Sequence, residues 1–180
     1  MPERYTQVAV CCEDLQQRCF IHRYLTRKGL NARRIRFLQC PAGDAKQFVR
    51  RNHVVEVRAM RARQHLRAGV ISMLDADNVM VEDRKDELDR ALQQAGLEPR
   101  QGSERVAVLV PRRNIETWIH ALLGETVDET TTYPRFRGRE SSCQEAVDRF
   151  VRRCPNDMGP GDLPSLLDGC RELTSFLNRA

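Results

Sequence analysis

The sequence predicts an α/β fold, with a mostly parallel four-stranded central sheet flanked by helices and C-terminal helices packed on it. Three observations predict it. Four short apolar runs, Tyr5–Cys12, Ala32–Gln39, Val70–Leu74 and Arg105–Val110, have the length and residue types of buried strands. Segments of helical period alternate with them, the pattern of a parallel sheet with crossover helices. The 180 residues, 41% hydrophobic and 31% charged, suit one folded domain.

The first run, Tyr5–Cys12, ends at Glu13-Asp14. A helix follows over Leu15–Arg27, with Ile21, Tyr24, Leu25 and Lys28 at helical spacing and Gly29 as its stop. Ala32–Gln39 alternates around Ile35, Phe37 and Leu38 and reads as the second strand. Pro41–Asp44 is a loop, and a helix starts behind Asp44. Val54–Arg67 reads as a further, arginine-rich helix, broken by Gly69. Val70–Leu74 is the third strand and runs into Asp75-Ala76-Asp77. Val81–Ala95 is helical, with Leu88, Leu92 and Ala95 on one face and Gly96 behind it. Arg105–Val110 is the fourth strand, and Pro111–Asn114 turns the chain into a helix over Ile115–Leu123. Residues 1–124 thus form the α/β core. Residues 125–180 form an extension of the same domain, with a polar, turn-rich stretch over Asp128–Ser142 and helices near Cys143–Cys154 and Pro164–Asn178. The last helix carries the stripe Leu163, Leu166, Leu167, Cys170, Leu173 and Leu177.

Composition narrows the function classes. No apolar run reaches the roughly 20 residues of a membrane span, and Glu3 and Arg4 precede the first strand in place of an apolar leader. A cytoplasmic protein without membrane contact is expected. Seven cysteines, none spaced Cys-x-x-Cys, exclude a zinc ribbon and predict buried free thiols in place of a disulfide framework. No Gly-x-x-x-x-Gly-Lys loop is present, so nucleotide hydrolysis by this chain is not expected. The net charge is +5, and with Lys28, Lys46 and Lys85 the only lysines, 27 of the 30 basic residues are arginine. That bias reflects either phosphate recognition, which the guanidinium fork suits, or codon usage.

In a parallel sheet, ligands gather at the carboxyl ends of the strands. Glu13 follows the first strand, Asp75 and Asp77 the third, and Glu116 lies in the first turn of the helix after the fourth. Converging carboxylates repel unless a cation neutralises them, and oxygen ligands with few histidines suit Mg²⁺ or Mn²⁺. Glu116 either joins that site or binds a helix-end arginine such as Arg113, and His120 shares its face. His22 and His53 read as surface or capping residues. Gly43–Lys46 is either a capped helix start or a cradle for a phosphate. The arginines at 50, 51, 58, 61, 63 and 67 form either a phosphate-binding face or a solvated one, and equally suit a homodimer contact. Arg135, Arg137 and Arg139 lie beside Tyr133 and Phe136, an interleaving that suits single-stranded nucleic acid.

The ordered set, Glu13 after the first strand and Asp75-x-Asp77 after the third, resembles the TOPRIM domain of topoisomerases, primases and OLD-family nucleases, over roughly Tyr5–Leu123. Pro111-Arg-Arg-Asn-Ile-Glu-Thr-Trp-Ile119 resembles the Pro-x-x-Glu-x-Trp pattern of small stand-alone TOPRIM-like proteins of the RloB type. The resemblance implies a Mg²⁺- or Mn²⁺-dependent nuclease or nicking subunit in bacterial anti-phage defence. Asp75 and Asp77 would hold the metal, Glu13 would serve as ligand or general base, and Glu116 would complete the site. Arg50, Arg51, Arg58, Arg135 and Arg137 would hold nucleic acid. A neighbouring ABC- or SMC-like ATPase is the implied protein partner, and a non-catalytic partner module is the alternative. The chain departs from the family at Asp14, where a glycine is usual.

Overall fold

In a computed structural model the described residues are 5–179, so Glu3 and Arg4 of the expected non-apolar start lie outside them. The chain runs β1 (Gln7–Cys12), α1 (Leu15–Arg27), β2 (Ile35–Gln39), α2 (Ala45–Ala62), β3 (Ala68–Met73), α3 (Val81–Gln94), β4 (Val106–Leu109), α4 (Ile115–Leu122), α5 (Gln144–Arg153) and α6 (Pro164–Asn178). Short 3₁₀ turns precede β2 and α5.

The sheet has the order β2-β1-β3-β4 and every pairing is parallel. The α/β class with a parallel four-stranded sheet and flanking helices is therefore as the sequence predicts. The chain steps from β1 outward to β2, then back across β1 to β3. The direction of winding reverses at the β1/β3 seam, which opens a crevice at the carboxyl ends of those two strands.

Alternation along the strands feeds two layers. Val8, Val10 and Cys12 of β1 face Phe20, Ile21, Trp118, Phe150 and Phe176. Those partners come from α1, α4, α5 and α6, so the C-terminal helices share one core with the sheet. Cys11 faces the other way, with Val49 and Leu88, and Val57 and Leu92 meet Val70 and Val106, so α2 and α3 cover the second face.

α6 runs beside the exposed edge of β4. Glu172 accepts a hydrogen bond from the Val108 N–H of that edge (3.3 Å) and is held by Lys85 (2.9 Å) and Arg100 (2.6 Å). A sheet edge left open invites pairing with another chain, and this arrangement closes it. The approach of α6 is tight: a Cβ on Gly169 would stand 2.4 Å from Trp118.

Four expectations are corrected. The two helices read over 45–67 are one, α2, because Asn52-His53 does not interrupt it. His53 is wholly buried, with Nδ1 2.8 Å from Ser72 Oγ, and is neither a surface nor a capping residue. Burial pushes its pKa down to about 3. Cys154 and Cys170 are joined in a disulfide that ties the end of α5 to the middle of α6. The other five cysteines are free thiols. Finally, Tyr133 and Phe136 pack against His120, with ring centroids 5.3 and 5.2 Å away, so they do not form an open stacking platform beside Arg135 and Arg137.

Candidate acidic site at the carboxyl end of the sheet

The crevice at the β1/β3 seam holds the acids that end those strands. Glu13 is 9% exposed and Asp75 3% exposed. They are stitched together directly: Glu13 Oε2 accepts from the Asp75 N–H (2.8 Å). Gln17, one turn into α1, binds both. Its Nε2 donates to Asp75 Oδ1 (3.0 Å) and Glu13 Oε2 (3.3 Å), and its Oε1 accepts from the Glu13 N–H (2.9 Å). Asp14 caps α1, the helix that carries Gln17, by accepting from the Gln17 N–H (2.9 Å).

Asp77 reaches the site by a different route. Its backbone is left-handed, φ 51°, a conformation that Asp tolerates better than most residues. The turn is held by a zipper between the loops after β3 and β4. Ala76 N–H donates to Pro111 O (2.9 Å) and Asp77 N–H to Arg113 O (3.0 Å). Arg113 is itself left-handed, φ 66°. Its guanidinium binds Asn78 Oδ1 and, at 2.6 Å, Thr130 O. Arg113 therefore does not serve Glu116.

The charge that answers these acids is Lys46, in the first turn of α2. Its Nζ is 2.5 Å from Asp77 Oδ2 and 3.2 Å from Glu13 Oε1. A helix N-terminus disfavours a cation, so the two carboxylates must hold Lys46 there. Burial pulls the Lys46 pKa down, but the hydrogen bond to Asp77 and the charge of Glu13 outweigh it and the net shift is upward. Gly43–Lys46 is thus an ordinary capped helix start, with Asp44 accepting from the Gln47 N–H (3.0 Å), and its lysine belongs to the site.

Glu116 is 1% exposed and its Oε1 has no hydrogen-bond partner. Burial pushes its pKa up to about 7, with the nearby Asp14 adding to the shift and Arg135 opposing it. Asp75 is raised well above the usual carboxylate range, first by burial and then by the charges of Glu13, Asp14 and Glu116. Three buried carboxyl groups, Glu13, Asp75 and Glu116, therefore share one field.

The remaining expected residues separate. Arg135 comes to the site, 4.0 Å from Asp14. Arg50 contacts Glu87 (3.5 Å), which also binds Arg84 (2.8 Å), and Arg84 lies 3.9 Å from Asp77. Arg51 and Arg58 are exposed further along α2, and Arg137 is exposed in the loop before α5. Gln17 and Lys46 were missed as site residues. The readable signal for Lys46 was its placement as a cation in the first turn of a helix. Gln17 had only its spacing from Glu13, one helical turn.

Oxygen donors of this kind fit a hard divalent cation, and the unpartnered Glu116 Oε1 is a buried acceptor without a donor. Among the described residues, no group of three or more His, Cys, Asp or Glu stands arranged as a ready metal cage. Lys46 lies between Glu13 and Asp77, so an ammonium and a divalent cation compete for the same two carboxylates. No helix among the described residues is long and apolar enough to cross a membrane. No family model, no curated protein and no solved structure matches the chain.

Proposed function

We propose that the chain is a TOPRIM-like, divalent-cation-dependent nuclease or nicking subunit that acts on nucleic-acid phosphodiesters, in line with the family resemblance of Glu13, Asp75-x-Asp77 and Pro111–Ile119. The observation that carries this reading is the concentration of three buried carboxyl groups, Glu13, Asp75 and Glu116, at the carboxyl end of the sheet, with Lys46 against Glu13 and with Glu116 Oε1 without a partner. Burial and the neighbouring acids hold the Asp75 and Glu116 carboxyls above the usual carboxylate range, and a hard cation relieves that cost.

Glu13, Asp75 and Asp77 would hold Mg²⁺ or Mn²⁺. Such an ion, when bound, polarises a phosphoryl oxygen and lowers the pKa of a water. The chain's own groups do the rest. Gln17 fixes the Glu13 and Asp75 carboxylates relative to each other. Glu116, whose pKa burial pushes up to about 7 in the cation-free site, is the carboxyl placed to take or give a proton as general acid or base. Lys46 supplies a positive charge to a phosphate oxygen, and Arg135 adds a second at the rim. The RloB-type resemblance extends the reading to anti-phage defence beside an ABC- or SMC-like ATPase.

One observation favours the non-catalytic module as a second reading. Lys46 already bridges Glu13 and Asp77, as a resident cation would. Calorimetric titration of Mg²⁺ and Mn²⁺, with and without a duplex oligonucleotide, separates the two readings. The catalytic reading expects binding by the wild type that Asp75→Asn abolishes, followed by cation-dependent cleavage. If neither protein binds a cation even with the oligonucleotide, the catalytic reading falls and Lys46 is the permanent counter-ion.

A further inference from the structure

A second surface lies below the acidic site, on the seam between α2 and α3. It is a groove of about 540 Å³ lined by Arg50, Arg51, Arg58 and Arg90, with Val54 and Val55 between them. The acid in its lining is Glu87, already shared by Arg84 and Arg50. Arg58 bonds the backbone carbonyl of Ala95 (3.1 Å), and Arg90 that of Asp86 (3.3 Å). Arg51 stacks over Phe48 (6.0 Å). Arg50 Nε is buried without a hydrogen-bond partner. Four guanidinium groups thus face one carboxylate that is already engaged.

We propose that this groove is a docking track for the phosphate backbone of a nucleic-acid duplex, which it leads toward the acidic site. The inference rests on the nucleic-acid reading of that site and names the form of the substrate. Three features choose the occupant. The excess charge is positive and consists of guanidiniums, which match phosphate oxygens in pairs. Arg51 and Arg58 are two helical turns apart, about 10.5 Å along α2, far enough to contact separate phosphates of one backbone. Among the described residues no aromatic side chain lines the groove, so it lacks the stacking platform that single strands use. The track also joins the site: Gln47, at its upper end, follows Lys46, and the chain of contacts Arg50–Glu87–Arg84 ends at Asp77.

The test is fluorescence anisotropy of a short labelled duplex in EDTA, where cleavage plays no part, at several salt concentrations. Wild type is compared with Arg51→Glu/Arg58→Glu. Both arginines are exposed on a helix, so the fold is retained, which circular dichroism checks. The double variant is expected to bind at least about tenfold more weakly, with a slope of log K against log salt shallower by about 1.8, the loss of two duplex contacts. Equal binding by the double variant overturns the track even if cleavage is intact. Displacement of the duplex by polyglutamate at equal charge concentration overturns it in favour of an acidic protein partner. Binding that behaves as expected without any cation-dependent cleavage keeps the track and removes the catalytic reading.

Discussion

At Lys46, one side chain holds together two acids that come from different strands. Its Nζ satisfies Glu13 and Asp77 at once, and a divalent cation wants the same oxygens. Lys46→Met is therefore expected to tighten Mg²⁺ binding about tenfold, roughly 1.4 kcal/mol, measured by calorimetry. It is expected to lower cleavage at the same time, because the charge offered to phosphate is lost. Weaker metal binding in the variant would show that Lys46 organises the acids for the ion. Asp77 calls for a different substitution. Its left-handed backbone accepts Asn with little strain, whereas Ala adds a backbone penalty of about 1 kcal/mol. Asp77→Asn is thus expected to melt close to wild type while losing affinity for the cation, and Asp77→Ala to lose both.

Among the elements, those with end signals in the sequence were legible. α1 spans Leu15–Arg27 and α6 spans Pro164–Asn178, as read, because Asp14 and Pro164 start them and Gly29 follows the first. α2, read as two helices, has no glycine or proline between Asp44 and Gly69, so no end signal marks a division within it. His53 is buried by β3, and no local pattern reports a partner supplied by a strand. The site shows the same divide. Glu13 and Asp75 were legible because strand ends can be read and parallel topology sends them to one edge. The bridge to Lys46 was not, because it depends on where α2 crosses the seam. The Cys154–Cys170 bond depends likewise on how the chain turns between α5 and α6. Gly169 makes an element-scale prediction. In an exposed helix Gly→Ala stabilises by about 1 kcal/mol. Here the new Cβ meets the Trp118 ring at 2.4 Å, and overpacking costs about 1–3 kcal/mol. Gly169→Ala is expected to lower the urea midpoint. An unchanged or raised midpoint would mean that α6 shifts freely against α4.

For the whole molecule, two buried groups tilt stability with pH in opposite directions. His53 has a folded pKa near 3 against an ordinary 6.5, so the folded state refuses its proton and stability falls as pH drops below 6.5. Glu116 has a folded pKa near 7 against an ordinary 4.5, so the folded state keeps its proton and stability rises as pH drops from 7 toward 4.5. Each unit of pH inside such a window is worth about 1.4 kcal/mol. Urea unfolding at pH 6.5 and pH 5 is expected to show His53→Gln losing about 2 kcal/mol less than wild type, and Glu116→Gln losing more than wild type. Parallel slopes in all three proteins would place both side chains in contact with water.

The bond between Cys154 and Cys170 also determines what a break in the chain does. The segment between them includes an exposed stretch at Pro160 and Gly161, a turn open to proteolytic nicking. A chain nicked there is two polypeptides that remain one molecule. It is expected to migrate as a single band until a thiol is added, and only then to release the C-terminal fragment carrying α6. Until that release the strip of helix along β4 stays in place, so the nicked protein keeps its sheet closed on that side.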